Sequence, residues 1–112
     1  NTLADAANTP AAALAQFATL CATIRAAGFS EIIAIGVTPR STFLTGQNAA
    51  QFLTAANTFN AGLTANGADH AVLLNSRAEF ANTADTNYYS DGLHWTQALY
   101  DIAVNAVLPY LV

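Results

Sequence analysis

The run Ile32-Ile33-Ala34-Ile35-Gly36-Val37 carries no polar residue at any position. A strand with one wet face alternates polar and apolar residues. A strand covered on both faces does not, and that second pattern belongs to parallel sheets flanked by helices. Ala71-Val72-Leu73-Leu74 is a shorter run of the same kind. Between them Asn48 and Gln51 have the spacing of a capping box, and Phe52, Ala56, Phe59 and Leu63 then recur at i, i+4, i+7 and i+11. This stripe predicts an amphipathic helix ending near Asn66-Gly67. Residues 32 to 74 therefore read as a βαβ unit with a right-handed crossover.

Upstream, Thr9-Pro10 has the form of a helix start, with a hydroxyl to accept a free N–H and a proline whose φ is already helical. Leu14, Phe17, Cys21 and Ile24 follow along one face, and Gly28 stands where a helix C′ residue belongs, so a helix is expected over about residues 10–27. Thr38 to Gly46 reads as a loop leaving the carboxyl end of the first strand, and Asn75 to Ser90 as a long surface loop. Trp95, Leu99, Ile102, Ala106 and Tyr110 mark a last helix, stopped or kinked by Pro109.

The order helix, strand, helix, strand, loop, helix is that of an α/β domain with a parallel sheet, here one partial domain over residues 1–112. Two strands that are both apolar throughout cannot both be interior in a two-stranded sheet, because each keeps an unpaired edge. Further strands are expected from sequence missing on the amino side or from another copy of the chain. The chain begins at Asn1 rather than Met, which fits a processed or partial product.

With 54% hydrophobic and 9% charged residues, the 112-residue chain is too apolar for disorder and is expected to form one compact body. Three arginines and no lysine against seven acids give a net charge of −4, the wrong sign for a phosphate backbone, so nucleic acid is excluded as a partner. The apolar runs are too short to span a bilayer, and no basic segment leads into an apolar one at the amino end. The single Cys21 excludes an internal disulfide and a cysteine zinc cage, and it shares the apolar stripe of the first helix. His70 has no second ligand close by, so no metal site is expected. The low charge with abundant Ala, Thr and Asn fits a secreted bacterial protein.

The chemically sharp feature is Asp91-Gly92-Leu93-His94. A carboxylate and an imidazole three residues apart can meet across one turn. If the carboxylate accepts from Nδ1–H, the tautomer is fixed and Nε2 can take a proton from a hydroxyl and return it to a leaving group. The plainer alternative is that Asp91 caps the last helix and His94 is an exposed first-turn residue. The spacing by itself is weak evidence.

The segment Tyr88-Tyr89-Ser90-Asp91-Gly92-Leu93-His94 and the helix after it resemble the last conserved block of the SGNH hydrolases, also called GDSL esterases and lipases, which carries Asp-Gly-x-His in this order. Ile32–Val37 with Thr38-Pro39 is similar to the family's penultimate core strand and loop. Asn60 to Gly67 and Val72 to Asn75 are similar to the stretch that leads to its final loop. The resemblance implies a three-layer, flavodoxin-like α/β/α fold and a serine esterase that works through an acyl-enzyme without a cofactor. In that scheme His94 is base and then acid, and Asp91 orients it. The family's Gly-x-Asn-Asp block would end at Asn1, which makes Asn1 a candidate oxyanion donor, although Thr2 departs from the usual aspartate. The Gly-Asp-Ser block has no counterpart, since Ser30, Ser41, Ser76 and Ser90 all lack its setting. The chain thus resembles the carboxyl-terminal half of such a domain, with the nucleophile outside it, and is expected to be inactive alone. Trp95 stands where the family usually has proline.

The implied substrate is an ester: an acylated small molecule, a lipid or an acetylated carbohydrate. Arg40, in the loop at the carboxyl end of the first strand, is a candidate to touch it. Trp95, Tyr88 and Tyr89 are candidates to line a pocket beside His94. The competing function is a non-catalytic carbohydrate-binding or assembly domain that kept the fold.

Overall fold

The computed structural model describes residues 2–44 and 46–111. Helix α1 spans Pro10–Ala26. Thr9 Oγ1 accepts from the Ala12 N–H at 3.2 Å, and Pro10 fills the first helical position, where its missing N–H costs nothing. The helix closes in a Schellman motif. The Gly28 N–H donates to Arg25 C=O at 2.9 Å and the Phe29 N–H to Ile24 C=O at 3.4 Å, with Gly28 at φ 100°.

Strands β1 (Ile33–Ile35) and β2 (His70–Val72) pair in parallel, with Ile33 opposite His70, Ala34 opposite Ala71 and Ile35 opposite Val72. The ladder is shorter than the apolar runs 32–37 and 71–74, and side chains take over main-chain groups beyond it. Asp69 Oδ2 accepts the Ile32 N–H at 2.8 Å. At the other end the Asn60 carboxamide takes both main-chain groups of Val37, Oδ1 accepting from its N–H at 2.7 Å and Nδ2 donating to its C=O at 2.9 Å.

Helix α2 spans Ala49–Ala61 and starts at Asn48, whose Oδ1 accepts from the Gln51 N–H at 3.0 Å. The return half of the expected capping box comes from Gln47, whose Oε1 accepts the Asn48 N–H at 3.3 Å. The helix stops short of Asn66. A 3₁₀ turn over Thr64–Asn66 carries the chain to Gly67 at φ 122°.

Cys21, Ile32, Ala34, Leu63 and Ala68 form a buried cluster with Phe17, Ile24 and Phe59 packed on it, so α1 and α2 cover one face of the sheet. On the other face Val72 and Leu74 pack with Phe80, Tyr89, Leu99 and Ala103. Leu99 and Ala103 belong to helix α4, Gln97–Val107. The result is an α/β body with helices on both sides of a two-stranded parallel sheet. Within the described residues the sheet is not doubly covered throughout: Ile35 is 46% and Leu73 42% exposed. No helix among the described residues is long and apolar enough to cross a membrane.

Two expectations need correction. The segment 75–90 is not a plain surface loop. It contains the short helix α3, Ala78–Ala81, and buries Phe80 and Tyr89, so core packing rather than regular structure orders it. Trp95 does not belong to the last helix. It precedes α4 and forms an isolated antiparallel bridge with Tyr89.

Candidate active site

The chain from Tyr88 to Thr96 doubles back on itself. Besides the bridge between Tyr89 and Trp95, the Ser90 N–H donates to His94 C=O and the Thr96 N–H to Tyr88 C=O, each at 2.9 Å. Tyr89 anchors this hairpin: its ring is in the core and its hydroxyl donates to Phe80 C=O at 2.8 Å. Thr96 Oγ1 adds a bond to Asn87 C=O at 2.6 Å.

At the tip, Asp91 Oδ1 accepts the N–H groups of Leu93 at 3.0 Å and His94 at 2.7 Å. That turn brings Oδ2 to 2.6 Å from His94 Nδ1. Gly92 makes it possible with φ 77°, and a Cβ there would strike Ser41 Oγ. Ser41 ties the tip to the loop after β1, its N–H donating to Gly92 C=O at 2.9 Å and its hydroxyl to the same oxygen at 3.2 Å. The residue before α4 is Thr96, so Asp91 does not cap that helix and His94 is not in its first turn. The capping alternative is thereby removed.

The backbone N–H of His94, its Nδ1 and the backbone N–H of Leu93 hold the Asp91 carboxyl down at about 2. An ionised carboxylate only accepts, so the proton of a neutral His94 ring sits on Nδ1 and Nε2 keeps its lone pair. The two side chains are open to solvent, His94 at 72% and Asp91 at 52%. Ser90 Oγ is engaged by His94 C=O at 3.3 Å, and Cys21 lies in the α1–α2 cluster, away from this tip.

Arg40 is half-buried after the carboxyl end of β1 and lines a cavity of about 470 Å³ together with Val37, Phe52 and Leu93, so it shares a wall with the Asp-Gly-Leu-His turn. Trp95 goes elsewhere. Its ring makes edge contacts with Phe80 and Tyr100, both at 5.2 Å between centroids, and rests against the α4 core. Tyr89, at 1% exposure, cannot line an open pocket, and Tyr88 packs on the same core. Asn1 lies outside the described residues.

Two residues that shape the site carried no local signal. Ser41 acts on Gly92 and Asn60 on Val37 across long stretches of chain. His70 Nε2 pairs with Glu31 Oε1 at 3.0 Å and its ring packs on Tyr110. Among the described residues no group of three or more His, Cys, Asp or Glu could hold a metal ion. Comparison of the chain with protein-family models, curated proteins and solved structures finds no match.

Proposed function

We propose that this chain is the acid–base portion of an SGNH-type ester hydrolase with the three-layer fold of that family. The observation that carries the reading is the 2.6 Å contact between Asp91 and His94 Nδ1, with the imidazole held at the tip of a braced turn and open to solvent. Nε2 of His94 takes the proton of a serine hydroxyl as it attacks the ester carbonyl. It then gives that proton to the departing alkoxide, leaving an acyl-enzyme that water hydrolyses by the same route. Asp91 keeps the ring in the right tautomer and stabilises the imidazolium. The serine comes from polypeptide outside these residues, and an amino-terminal half or another copy of the chain completes the sheet. Asn1 serves as one oxyanion donor. Arg40, beside Leu93 in the cavity, contacts the ester substrate.

A fluorophosphonate probe tests this on the gene product that carries the chain. One serine becomes labelled, and His94→Ala abolishes labelling. Residues 1–112 alone do not turn over p-nitrophenyl acetate. Labelling that survives His94→Ala removes the role given to His94, and absence of labelling leaves the carbohydrate-binding or assembly alternative, which needs no activated serine.

A further inference from the structure

Asn66 is the one asparagine in the sequence with glycine after it; threonine, alanine, serine or tyrosine follows the others. A backbone nitrogen reaches the side-chain carbon of the preceding asparagine most readily when its own residue has no Cβ to crowd the approach. The structure sets this pair in a loosely bonded turn. Asn66 closes the 3₁₀ segment Thr64–Asn66, and Gly67 follows at φ 122°. The Asn66 N–H is shared between Gly62 C=O at 3.1 Å and Leu63 C=O at 3.3 Å, and the Gly67 N–H donates to Thr64 C=O at 3.4 Å, longer than the usual range. Thr64 and Ala65 are exposed and Asn66 and Gly67 half-buried, so water reaches the turn. Asn57, Asn60 and Asn105 lie instead inside α2 and α4, where the next N–H is tied into the helix ladder. One interaction at Asn66 opposes attack: its Nδ2 donates to Gly62 C=O at 2.8 Å and turns the carboxamide back toward the end of α2.

We propose that Asn66-Gly67 is a site of spontaneous deamidation, gated by the bond from Asn66 to Gly62. When the turn opens, the Gly67 nitrogen loses its proton to solvent and forms a bond to Asn66 Cγ. The Cγ–Nδ2 bond breaks, and Nδ2 leaves as ammonia, taking up from solvent the proton that Gly67 gave. The cyclic succinimide then takes up one water, which opens it at either carbonyl to leave aspartate or isoaspartate at position 66. Either product loosens the junction of α1 with the start of β2. An aspartate has no donor for Gly62 C=O and sets a negative oxygen against it. An isoaspartate routes the main chain through an extra carbon just before Gly67, and Gly67 is closely packed: a Cβ on it would lie 2.7 Å from Cys21 Cβ, and its C=O accepts from Arg25 Nη2 at 2.9 Å. The same guanidinium holds Asp69, whose carboxylate accepts the Ile32 N–H. A bonded path therefore leads from position 66 to the residues that precede both strands. The Asp91–His94 tip is built from other segments, and no ester chemistry is involved.

For the test, the gene product carrying the chain is held in mildly alkaline buffer, sampled over time, and mapped by proteolysis and mass spectrometry. The peptide with residue 66 should gain the mass of amide-to-acid conversion before any other asparagine of residues 1–112 does, and protein isoaspartate methyltransferase should methylate it. In urea, where the bond to Gly62 no longer restrains the carboxamide, conversion at 66 should run about tenfold faster or more. Asn66→Gln should show no conversion at 66 over the same time, because the longer side chain closes a larger ring more slowly. Asn66→Asp, which installs one product directly, should speed amide exchange at Ala68 and His70 by about tenfold and leave the Nδ1–H tautomer of His94 unchanged. Earlier conversion at another asparagine of the chain overturns the proposal, as does a product at 66 that contains no isoaspartate. Conversion in urea with none in the folded protein also overturns it, and equal rates in the two conditions overturn the gate. No readout involves esterase activity, so the ester reading stands or falls separately.

Discussion

Ser41 reaches Gly92 with two donors, its N–H at 2.9 Å and its hydroxyl at 3.2 Å from one carbonyl oxygen. This clasp joins the loop leaving β1 to the turn that holds Asp91 and His94. It makes the turn part of the sheet's framework, although the two side chains of the pair are exposed. Preorganisation of this kind is what an acid–base pair requires, since a misplaced imidazole loses most of its effect on rate.

Gly92→Ala should break the clasp. The residue sits at φ 77° and a Cβ would strike Ser41 Oγ, so the turn must reopen at a cost of about 1–3 kcal/mol. Thermal unfolding should shift down, and the ring nitrogens of His94 should lose the ¹⁵N signature of an Nδ1–H tautomer. An unchanged tautomer in a folded variant would show that Asp91 alone holds the ring.

Asp91 should be stabilising above the range in which it titrates. Its folded value lies at about 2, below the ordinary carboxylate value, so its contribution is full above about pH 4 and is lost as the pH falls toward 2. Asp91→Asn should lower the unfolding midpoint at neutral pH, and the gap to the parent chain should close on acidification. A carboxyl ¹³C titration with its midpoint near 4 would contradict this assignment.

In the proposed hydrolase, Asp91→Asn should cut kcat by about 10²–10⁴-fold, because the amide cannot hold the imidazolium that forms during attack. KM should change little, since Asp91 faces the ring and not the ester. Rate constants from steady-state ester hydrolysis by the gene product carrying the chain decide it, and a selective rise in KM would speak for a binding role.

Asn60→Ala should cost about 2–3 kcal/mol, because a buried carboxamide is lost and both main-chain groups of Val37 are stranded. Denaturant unfolding measures it. Exchange at Val37 should accelerate in the same variant, and if it stays slow another group covers this strand end.

Much of the fold was legible because its signals are local. Thr9-Pro10 and Gly28 bound α1 through bonds that span a turn or less, and Asn48 starts α2 in the same way. The Asp91–His94 contact was legible for the same reason, since carboxylate and ring are three residues apart and need only a left-handed glycine between them. The runs 32–37 and 71–74 announced two strands but not their ends, because the groups that take over beyond the ladder, Asp69 at Ile32 and Asn60 at Val37, come from elsewhere in the chain. Tyr89 and Trp95 looked like pocket residues in a polar stretch. Only the packing of Phe80 and α4 shows that Tyr89 is buried and that Trp95 precedes the helix.

The sequence by itself determined the order of the longer helices and the two strands, the caps, and the three-residue spacing that lets residues 91 and 94 meet, all of which follow from interactions within a few residues. Tertiary structure decided where the strands end, that the acid faces the imidazole instead of capping α4, and that Ser41 braces Gly92. Those outcomes join residues far apart in the chain, and their energy is gained only when the helices close on the sheet.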